Sequence, residues 1–95
     1  MTYHVTIMAS RMAGTLYIGV TSNLVKRIAE HKSGTNLGFT SQYKVHRLVY
    51  YENYDQPEVA ITREKELKKW RRMWKIQLIE KMNPKWDDLF TAITG

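Results

Sequence analysis

Four side chains of different chemistry are spaced along this sequence in a way that suits hydrolysis of a phosphodiester bond: Tyr17, Arg27, His31 and Glu64. Such a reaction needs a proton acceptor and positive charge beside the phosphate. Histidine is matched to proton transfer near neutral pH, and a tyrosine can take part if its pKa of ~10 is lowered. Arginine can hold two phosphate oxygens. One carboxylate is enough for Mg²⁺, which usually keeps several waters.

Each of these residues also has an ordinary structural interpretation. Tyr17 could be a strand aromatic, and Arg27 could pair with Glu30, three residues further along the same helix. His31 could be a stabilising charge near a helix C-terminus. Glu64 could pair with the lysine four residues later, in the favoured orientation. Taken singly, the four residues do not decide between structure and catalysis.

Length and composition limit the classes of protein that this chain can represent. With 95 residues and 43% apolar content, the sequence predicts one folded domain over residues 1–95. The absence of cysteine excludes a disulfide scaffold, thiolate zinc sites and a cysteine nucleophile. We find no signal-peptide pattern and no apolar run of ~20 residues. We therefore expect a cytoplasmic protein that does not associate with membranes.

The charge is concentrated in one stretch. The chain carries a net charge of +6, and residues 63–81 alone hold eight Lys or Arg against three Glu, a net charge of +5. Trp70 and Trp74 interrupt this basic run, which favours a polyanion such as nucleic acid. The alternative is a solvated helix face with its tryptophans in the core. The cations that we expect to contact nucleic acid are Lys26, Lys32, Lys44, Arg63, Lys68, Arg71 and Arg72.

The first half of the chain has the pattern of a hairpin followed by a helix. Residues 3–8 and 15–20 alternate in polarity, which predicts two antiparallel strands, the first with one face in the core. We expect Gly14 to take a positive φ in the turn between them. Ser22 is a plausible N-cap for a helix with apolar spacing over residues 24–31, which Gly34 can end. Residues 34–43 predict a loop with donors suited to phosphates.

The second half predicts one more strand and mostly helix. Residues 45–52 are rich in Val, Leu and Tyr, as in a third strand. Asp55 as N-cap, with proline and glutamate in the following turn, indicates a helix start. A helix of twenty-odd residues is long for a globular domain, so we expect a break near Trp74, and a short last helix over 86–93. The predicted fold is α+β, a small three-stranded antiparallel sheet flanked by helices in the order β-β-α-β-α-α.

Taken together, the site residues resemble a known family. The run Thr15–Leu24 contains Tyr17-Ile18-Gly19, and Arg27 and His31 follow at the spacings found in the GIY-YIG endonuclease superfamily. The segment around Glu64 resembles the helix that carries the metal-binding glutamate of that family. Residues 75–89 resemble the ending of its small, stand-alone bacterial members. The resemblance covers nearly the whole chain.

The resemblance implies both a fold and a reaction. It implies a three-stranded antiparallel sheet surrounded by helices, and one-metal hydrolysis of nucleic-acid phosphodiesters. Carried over by position, Tyr17 activates or positions the water, and Arg27 holds the scissile phosphate. His31 assists proton transfer or binds phosphate, and Glu64 ligates Mg²⁺ or Mn²⁺.

The sequence departs from the family pattern at three places. The family has a tyrosine eleven residues before the YIG tyrosine, where this chain has Thr6, which keeps a hydroxyl but loses the aromatic reach. Val20 stands where repair-type members often have lysine. The asparagine that larger members carry beyond the glutamate helix has only Asn83 or Asp87 as a counterpart. We regard Thr6, Asn83 and Asp87 as auxiliary site candidates.

Three functions are compatible with these observations. The first is a metal-dependent DNA endonuclease with structure-directed or low-specificity cleavage, in the context of DNA repair or recombination; RNA is also a conceivable substrate. The second is a nucleic-acid-binding module whose nuclease site has decayed at Thr6. The third is a structural or protein-interaction domain that uses the basic, tryptophan-bearing helix, and it does not explain the spacing of the four site residues.

Overall fold

A computed structural model describes residues 1–33 and 43–94 of the chain. Three strands form one antiparallel sheet in this part: β1 (Tyr3–Ala9), β2 (Leu16–Thr21) and β3 (Arg47–Tyr54). Their order is β2-β1-β3, so β1 pairs with both of the others. The two predicted N-terminal strands therefore form the expected hairpin, and the third strand joins on the other side of β1.

Four helices accompany the sheet within the described residues. They are α1 (Leu24–Ser33), α2 (Pro57–Lys69), α3 (Arg72–Met82) and α4 (Phe90–Thr94). The predicted α+β class is confirmed, as is the order of strands and helices with the long helix divided in two. The predicted loop over residues 34–43 and the helix end at Gly34 lie almost entirely outside the described residues.

Strand β1 is buried on both faces, whereas the sequence predicted only one core face. Val5, Ile7 and Ala9 belong to a core that includes residues of α2 and α3. Met8, on the opposite face, packs in a second core with Leu24 and other residues on the α1 side. Because alternate side chains of a strand point to opposite faces, a central strand covered by helices on both sides must bury both sets.

The turn between β1 and β2 has its positive φ at Ala13 (φ 54°) and not at Gly14 as predicted. Gly14 is required for space instead. A Cβ at that position would lie 2.4 Å from Ser10 Oγ and 2.7 Å from Arg11 Cγ. The Arg72 guanidinium, at the start of α3, donates to the carbonyls of Ala13 at 2.5 Å and Gly14 at 2.7 Å. This contact ties the turn to the second half of the chain.

Helix α1 is capped by Asn23 and not by Ser22. Asn23 Oδ1 accepts from the backbone N–H of Lys26 at 3.1 Å, which satisfies one of the unpaired donors of the first turn. The prediction of Ser22 was wrong because β2 continues to Thr21, whose hydroxyl then accepts from the Asn23 backbone N–H at 3.0 Å. This contact places the helix start one residue later.

The boundaries of α2 also differ from the prediction. Gln56 is the N-cap residue without a side-chain cap bond, and Pro57 is the first helical residue. Asp55 therefore lies one residue too early to cap the helix. The long helix breaks at Trp70, where ψ is 149°, and not near Trp74. An extended backbone at Trp70 and Arg71 turns the chain, so that α3 does not continue α2 and packs against β3.

The segment after α3 is fixed to β3 by Asn83. Its Nδ2 donates to the Val49 carbonyl at 3.1 Å and the Asp87 carbonyl at 2.8 Å, while its Oδ1 accepts from the Asp87 N–H at 3.0 Å. Trp86 is fully buried within this loop, and its Nε1 donates to Glu80 at 2.9 Å. The predicted helix over 86–93 is shorter in the structure and begins at Phe90, because residues 83–87 form this turn.

None of the described helices is long and apolar enough to cross a membrane.

Replacement of Asn83 by alanine is expected to destabilise the protein by about 2–3 kcal/mol, because buried partners of its amide lose their hydrogen bonds. Urea unfolding followed by circular dichroism measures this change. Asn53 is an exposed residue of β3 whose Oδ1 accepts one hydrogen bond, from His4. Asn53→Ala is the matched control, and we expect it to cost less than about 0.5 kcal/mol. Equal losses in both variants would contradict a stabilising role of the Asn83 hydrogen bonds.

Candidate active site

Tyr17 and His31 lie together on the α1 side of the sheet. Tyr17 is paired with Met8 in the β1–β2 ladder, and Met8 belongs to the core beneath α1. His31 lies one turn after Ile28 on α1, so its side chain points towards the same core. The two ring centroids are 5.7 Å apart and the rings are tilted by 53°. The structure therefore joins two of the four residues by direct ring contact.

The His31 imidazole is buried, with 3% of the residue exposed, and its Nδ1 has no hydrogen-bond partner in the described part of the chain. Burial lowers the pKa of His31 below its ordinary value of 6.5, and the positive charge of Arg27 lowers it further. The imidazole is therefore neutral at neutral pH. The alternative interpretation of His31 as a charged helix-terminal residue is wrong, because that role needs the protonated ring.

Arg27 lies on the same helix, one turn before His31. Its Nε is 3.6 Å from a Glu30 carboxylate oxygen, as the structural interpretation of Arg27 predicts. Both side chains are 41% exposed, and an exposed ion pair of this kind contributes only about 0–1 kcal/mol. Arg27 also lines an open polar cavity of about 220 Å³ with residues that include Asn23 and Lys26. The pair thus leaves the guanidinium accessible to an anion.

A second open cavity, of about 250 Å³, lies against Tyr17 and its neighbours in β2. Lys68 from α2 and Lys75 from α3 complete its lining. Lys75 was not among the predicted nucleic-acid contacts. It is seven residues after Lys68, a helical spacing, but the break at Trp70 separates the two helices and makes the spacing uninformative. Two lysines beside a tyrosine give this cavity a positive lining suited to a phosphate.

Glu64 is connected to this cavity through Lys68. Its carboxylate is 3.4 Å from Lys68 Nζ, so the structural interpretation of Glu64 as an i,i+4 partner also holds. The Glu64 side chain is only 16% exposed, whereas that of Lys68 is 54% exposed. No group of three or more His, Asp or Glu side chains in the described residues could enclose a metal ion. A metal at Glu64 must therefore complete its shell with water and substrate, which Mg²⁺ accepts.

Thr6 lies directly opposite Gly19 in the β1–β2 ladder, beside the Tyr17 ring. It is 3% exposed, and its Oγ1 donates to the Gly19 carbonyl at 3.4 Å. A Cβ placed on Gly19 would lie 3.4 Å from Tyr17 Cε1 and 3.7 Å from Thr6 Oγ1. Both are ordinary van der Waals distances, so the tyrosine ring and the threonine hydroxyl lie beside Gly19 without requiring a glycine there for space.

The other two auxiliary candidates lie elsewhere. Asn83 binds the backbone of β3, and the exposed Asp87 contributes its main chain to the same turn. Strands β3 and β2 are the two edges of the sheet, with β1 between them. Neighbouring strands are about 4.8 Å apart, so β3 lies about 10 Å from the strand that carries Tyr17. The structure does not bring Asn83 or Asp87 to Tyr17.

The seven cations predicted to contact nucleic acid fall into two groups. Three have partners inside the molecule: Lys32 pairs with Asp88, Arg63 pairs with Glu52 at 2.9 Å, and Arg72 holds the β1–β2 turn. The other four are exposed, although Lys68 also pairs with Glu64 and Arg71 also lies over the Trp74 ring. Lys26 and Lys68 line the two cavities, Arg71 directly precedes α3, and Lys44 follows residues 34–42 in the sequence. The second group provides the accessible positive charge.

The neutral state of His31 can be tested by NMR titration of its imidazole. We expect a pKa below 6.5, and we expect Arg27→Gln to raise it because a nearby positive charge is removed. Lys26→Gln, an exposed cation one residue earlier, is the matched control and should leave the pKa of His31 unchanged. A shift of the same size in both variants would indicate general charge screening and contradict a specific effect of Arg27.

The same pKa shift links stability to pH. The folded protein binds the His31 proton less tightly than the unfolded chain, so this stabilisation is fully present above pH 6.5 and is lost as pH falls through the folded-state pKa. Urea unfolding between pH 7.5 and 5.5 should therefore show a smaller loss of stability in His31→Gln than in the wild-type protein. An equal loss in both would contradict the burial of a neutral imidazole.

Comparisons with known proteins identify the family of the chain. A family model described as the GIY-YIG catalytic domain matches residues 2–77, which include Tyr17, Arg27, His31 and Glu64. A UPF0213 protein of Syntrophus aciditrophicus is 41% identical over 71 residues, or 74% of this chain and 80% of the relative. The UPF0213 protein SSP2268 of Staphylococcus saprophyticus is 36% identical over 66 residues, or 70% and 80% respectively.

A solved structure has the same fold. The solution NMR structure of the UPF0213 protein BH0048 from Bacillus halodurans covers 93% of this chain and 93% of its own, with a TM-score of 0.58 and 28% sequence identity. The family model extends over most of the chain, from β1 into α3. The chain therefore belongs to the GIY-YIG family.

Proposed function

We propose that this protein is a metal-dependent endonuclease that hydrolyses DNA phosphodiester bonds. The observation that carries the proposal is the contact between the Tyr17 and His31 rings, with Arg27 one turn away on the same helix. The membership of a nuclease family supports it. The positive lining of the cavity beside Tyr17 supports it independently, because a phosphate is the group that such a lining favours.

Proton transfer is the first task, and the Tyr17–His31 pair suits it. Water attacks phosphorus, the bond to the leaving oxygen breaks, and the proton of the water must be accepted. Tyr17 is partly exposed beside the cavity, while His31 is buried against it and neutral. We propose that the phenol contacts the water and passes a proton on to the imidazole. A neutral histidine near physiological pH is suited to accept it.

Neutralisation of the transition state is the second task. Negative charge develops on the phosphoryl oxygens, and a positioned cation stabilises it. Arg27 is permanently charged and can present two N–H groups to a phosphate. Its exposed pair with Glu30 is weak enough for a phosphate to compete with it. Lys68 and Lys75 add charge on the other side of Tyr17.

Mg²⁺ or Mn²⁺ is the cofactor that the donor set fits, with Glu64 as its protein ligand. A single carboxylate with water and phosphate oxygens suits these hard ions, whereas zinc prefers cysteine and histidine sets. When bound, the metal would supply positive charge to the phosphate. Lys68 Nζ lies 3.4 Å from the Glu64 carboxylate, and Lys68 itself lines the cavity beside Tyr17.

The substrate preference follows from the kind of contacts available. The side chains at the two cavities suit contacts to phosphates, and phosphate contacts position a protein on DNA without reading its sequence. We therefore propose low-specificity or structure-directed cleavage, in the context of DNA repair or recombination. RNA carries the same phosphates, so it belongs in the substrate panel.

Cleavage should depend on both Tyr17 and Glu64. We expect Mg²⁺ or Mn²⁺ to support nicking of plasmid, flap or junction DNA, and EDTA to stop it. Tyr17→Phe keeps the ring and removes the hydroxyl, while Glu64→Gln removes the charge. Each should lower the cleavage rate by at least about 100-fold. Glu66→Gln, an exposed carboxylate on the same helix, is the matched control and should cleave normally. Equal cleavage by all variants would indicate a contaminating nuclease.

A second candidate function is nucleic-acid binding without hydrolysis, and Thr6 is the observation that favours it. The family tyrosine is replaced by a residue whose hydroxyl contacts the Gly19 carbonyl, beside the Tyr17 ring. The Thr6 hydroxyl cannot reach as far from the backbone as the hydroxyl of the family tyrosine would. In this case the accessible lysines and Arg27 would still bind phosphates.

The two candidates are distinguished by Thr6→Tyr. If the site has decayed, the wild-type protein binds DNA with an affinity that falls steeply with salt, does not cleave it, and gains cleavage with Thr6→Tyr. If the first proposal is right, the wild-type protein already cleaves. Salt-independent binding would contradict both, because phosphate contacts release counterions. The melting temperature of Thr6→Tyr serves as the check on its fold, since position 6 is buried.

A further inference from the structure

The corner between α2 and α3 carries an apolar groove that the proposed chemistry does not use. The groove has a volume of about 460 Å³ and is lined by Trp70, Trp74, Gln77, Leu78 and Lys81. It exists because the backbone is extended at Trp70 and Arg71, so Trp70 lies in the break after α2 and Trp74 lies in the first turn of α3. Their ring centroids are 6.1 Å apart, with one ring edge-on to the other.

The two tryptophans differ in how deeply they are buried. Trp70 is half-buried and packs against the core beneath α2 and α3. Trp74 is 48% exposed, although it is a large apolar residue. The interpretation of the tryptophans as core residues therefore holds for Trp70 and not for Trp74. The half-exposed Trp74 indole, held against Trp70, therefore forms an accessible aromatic wall of the groove.

The charge around the groove identifies the kind of occupant. The Arg71 guanidinium lies 5.5 Å from the centre of the Trp74 ring, and Lys81 forms part of the lining. Residues 63–81 together carry a net charge of +5. A second copy of the chain would bring the same positive charge and be repelled. Nucleic acid combines flat aromatic bases with negative phosphates, and it complements both features of this surface.

The groove and the cavity beside Tyr17 are lined by two consecutive residues of α3. Trp74 lines the groove, and the next residue, Lys75, lines the Tyr17 cavity. Consecutive residues of a helix point about 100° apart, so the groove and the Tyr17 cavity open on adjacent sides of α3. A strand that reaches the Tyr17 cavity with its phosphate can therefore place a nearby base in the groove.

We infer that the Trp70–Trp74 groove binds an unpaired nucleobase by stacking it on Trp74. A base inside a duplex is already stacked on both sides, so the groove selects single-stranded segments. The inference rests on the proposed function, which brings a nucleic-acid strand to the Tyr17 cavity. It deepens that function by naming the substrate class, which is nucleic acid with unpaired nucleotides beside the cut site. Binding to the groove can be measured without cleavage.

The test uses the full chain with EDTA present, so that binding is separated from hydrolysis. The probe is a labelled single-stranded oligothymidylate of about 10 nucleotides, within the range bound by single-strand-binding folds. A blunt duplex of the same length serves for comparison. Fluorescence anisotropy gives both affinities. Tryptophan emission gives a second readout of binding at Trp74. Trp86 is fully buried, so the bound strand should not quench its emission.

We expect Trp74→Ala to weaken binding of the single strand about 5- to 100-fold, and binding of the duplex less than about twofold. Trp74→Phe should retain most of the affinity because it keeps an aromatic face. Met73→Ala is the matched control, since Met73 is the preceding apolar residue and is 60% exposed. Its single-strand affinity should equal that of the wild-type protein. Because Trp74 is half-exposed, the melting temperature of Trp74→Ala should be close to that of the wild-type protein.

Several outcomes would overturn the inference. These are an unchanged single-strand affinity in Trp74→Ala, equal weakening of single strand and duplex, and a wild-type dimer in sedimentation experiments that Trp74→Ala dissociates without any effect on oligonucleotide binding. The last result would identify the groove as a protein interface. Selective single-strand binding without metal-dependent cleavage would contradict the proposed endonuclease and leave the groove supported. Cleavage by the wild-type protein with unchanged binding by Trp74→Ala would support the proposed endonuclease and contradict the role of the groove.

Discussion

The structure depends on one constraint, the burial of β1 on both of its faces. Alternate residues of this strand enter different cores, so the helices must divide between the two sides of the sheet. A shift of one residue in the pairing of β1 with β2 would exchange the two sets. It would move Tyr17 away from α1 and place its apolar neighbours under that helix. The register of the hairpin therefore fixes the position of the tyrosine as firmly as it fixes the core.

The candidate site forms around an edge of this sheet and not on one face. Tyr17 and His31 come from the α1 side, whereas Lys68 and Lys75 come from the helices that cover the opposite face. Strand β2 is an edge strand, so side chains from both sides can meet beside it. An edge strand normally exposes backbone groups to unwanted pairing. Here lysines from α2 and α3 lie beside part of that edge.

The sequence predicted the architecture better than the details that set its geometry. Alternating polarity was enough to place the first two strands, and the content of Val, Leu and Tyr was enough to place the third. The spacing from Tyr17 to Arg27 and His31 supplied the family resemblance that made these three residues site candidates. Helix starts were wrong by one residue at Ser22 and Asp55, because a hydroxyl or carboxylate can cap only where the neighbouring strand or proline allows. The position of Lys75 beside Tyr17 was not predictable, since it depends on the angle between two helices. The buried state of His31 depends on tertiary packing in the same way.

The hydrogen bonds from Arg72 to the β1–β2 turn have a consequence for the order in which the molecule forms. Arg72 lies 59 positions after Ala13 and 58 positions after Gly14 in the sequence. This contact therefore closes a long loop and carries a large entropic cost. The hairpin can form early from local contacts, but the wall of the Tyr17 cavity is complete only when α3 docks. A partly folded chain that has its sheet and α1 therefore lacks the second lysine. Amide protons in α3 would report this opening by exchanging with solvent faster than those of β1.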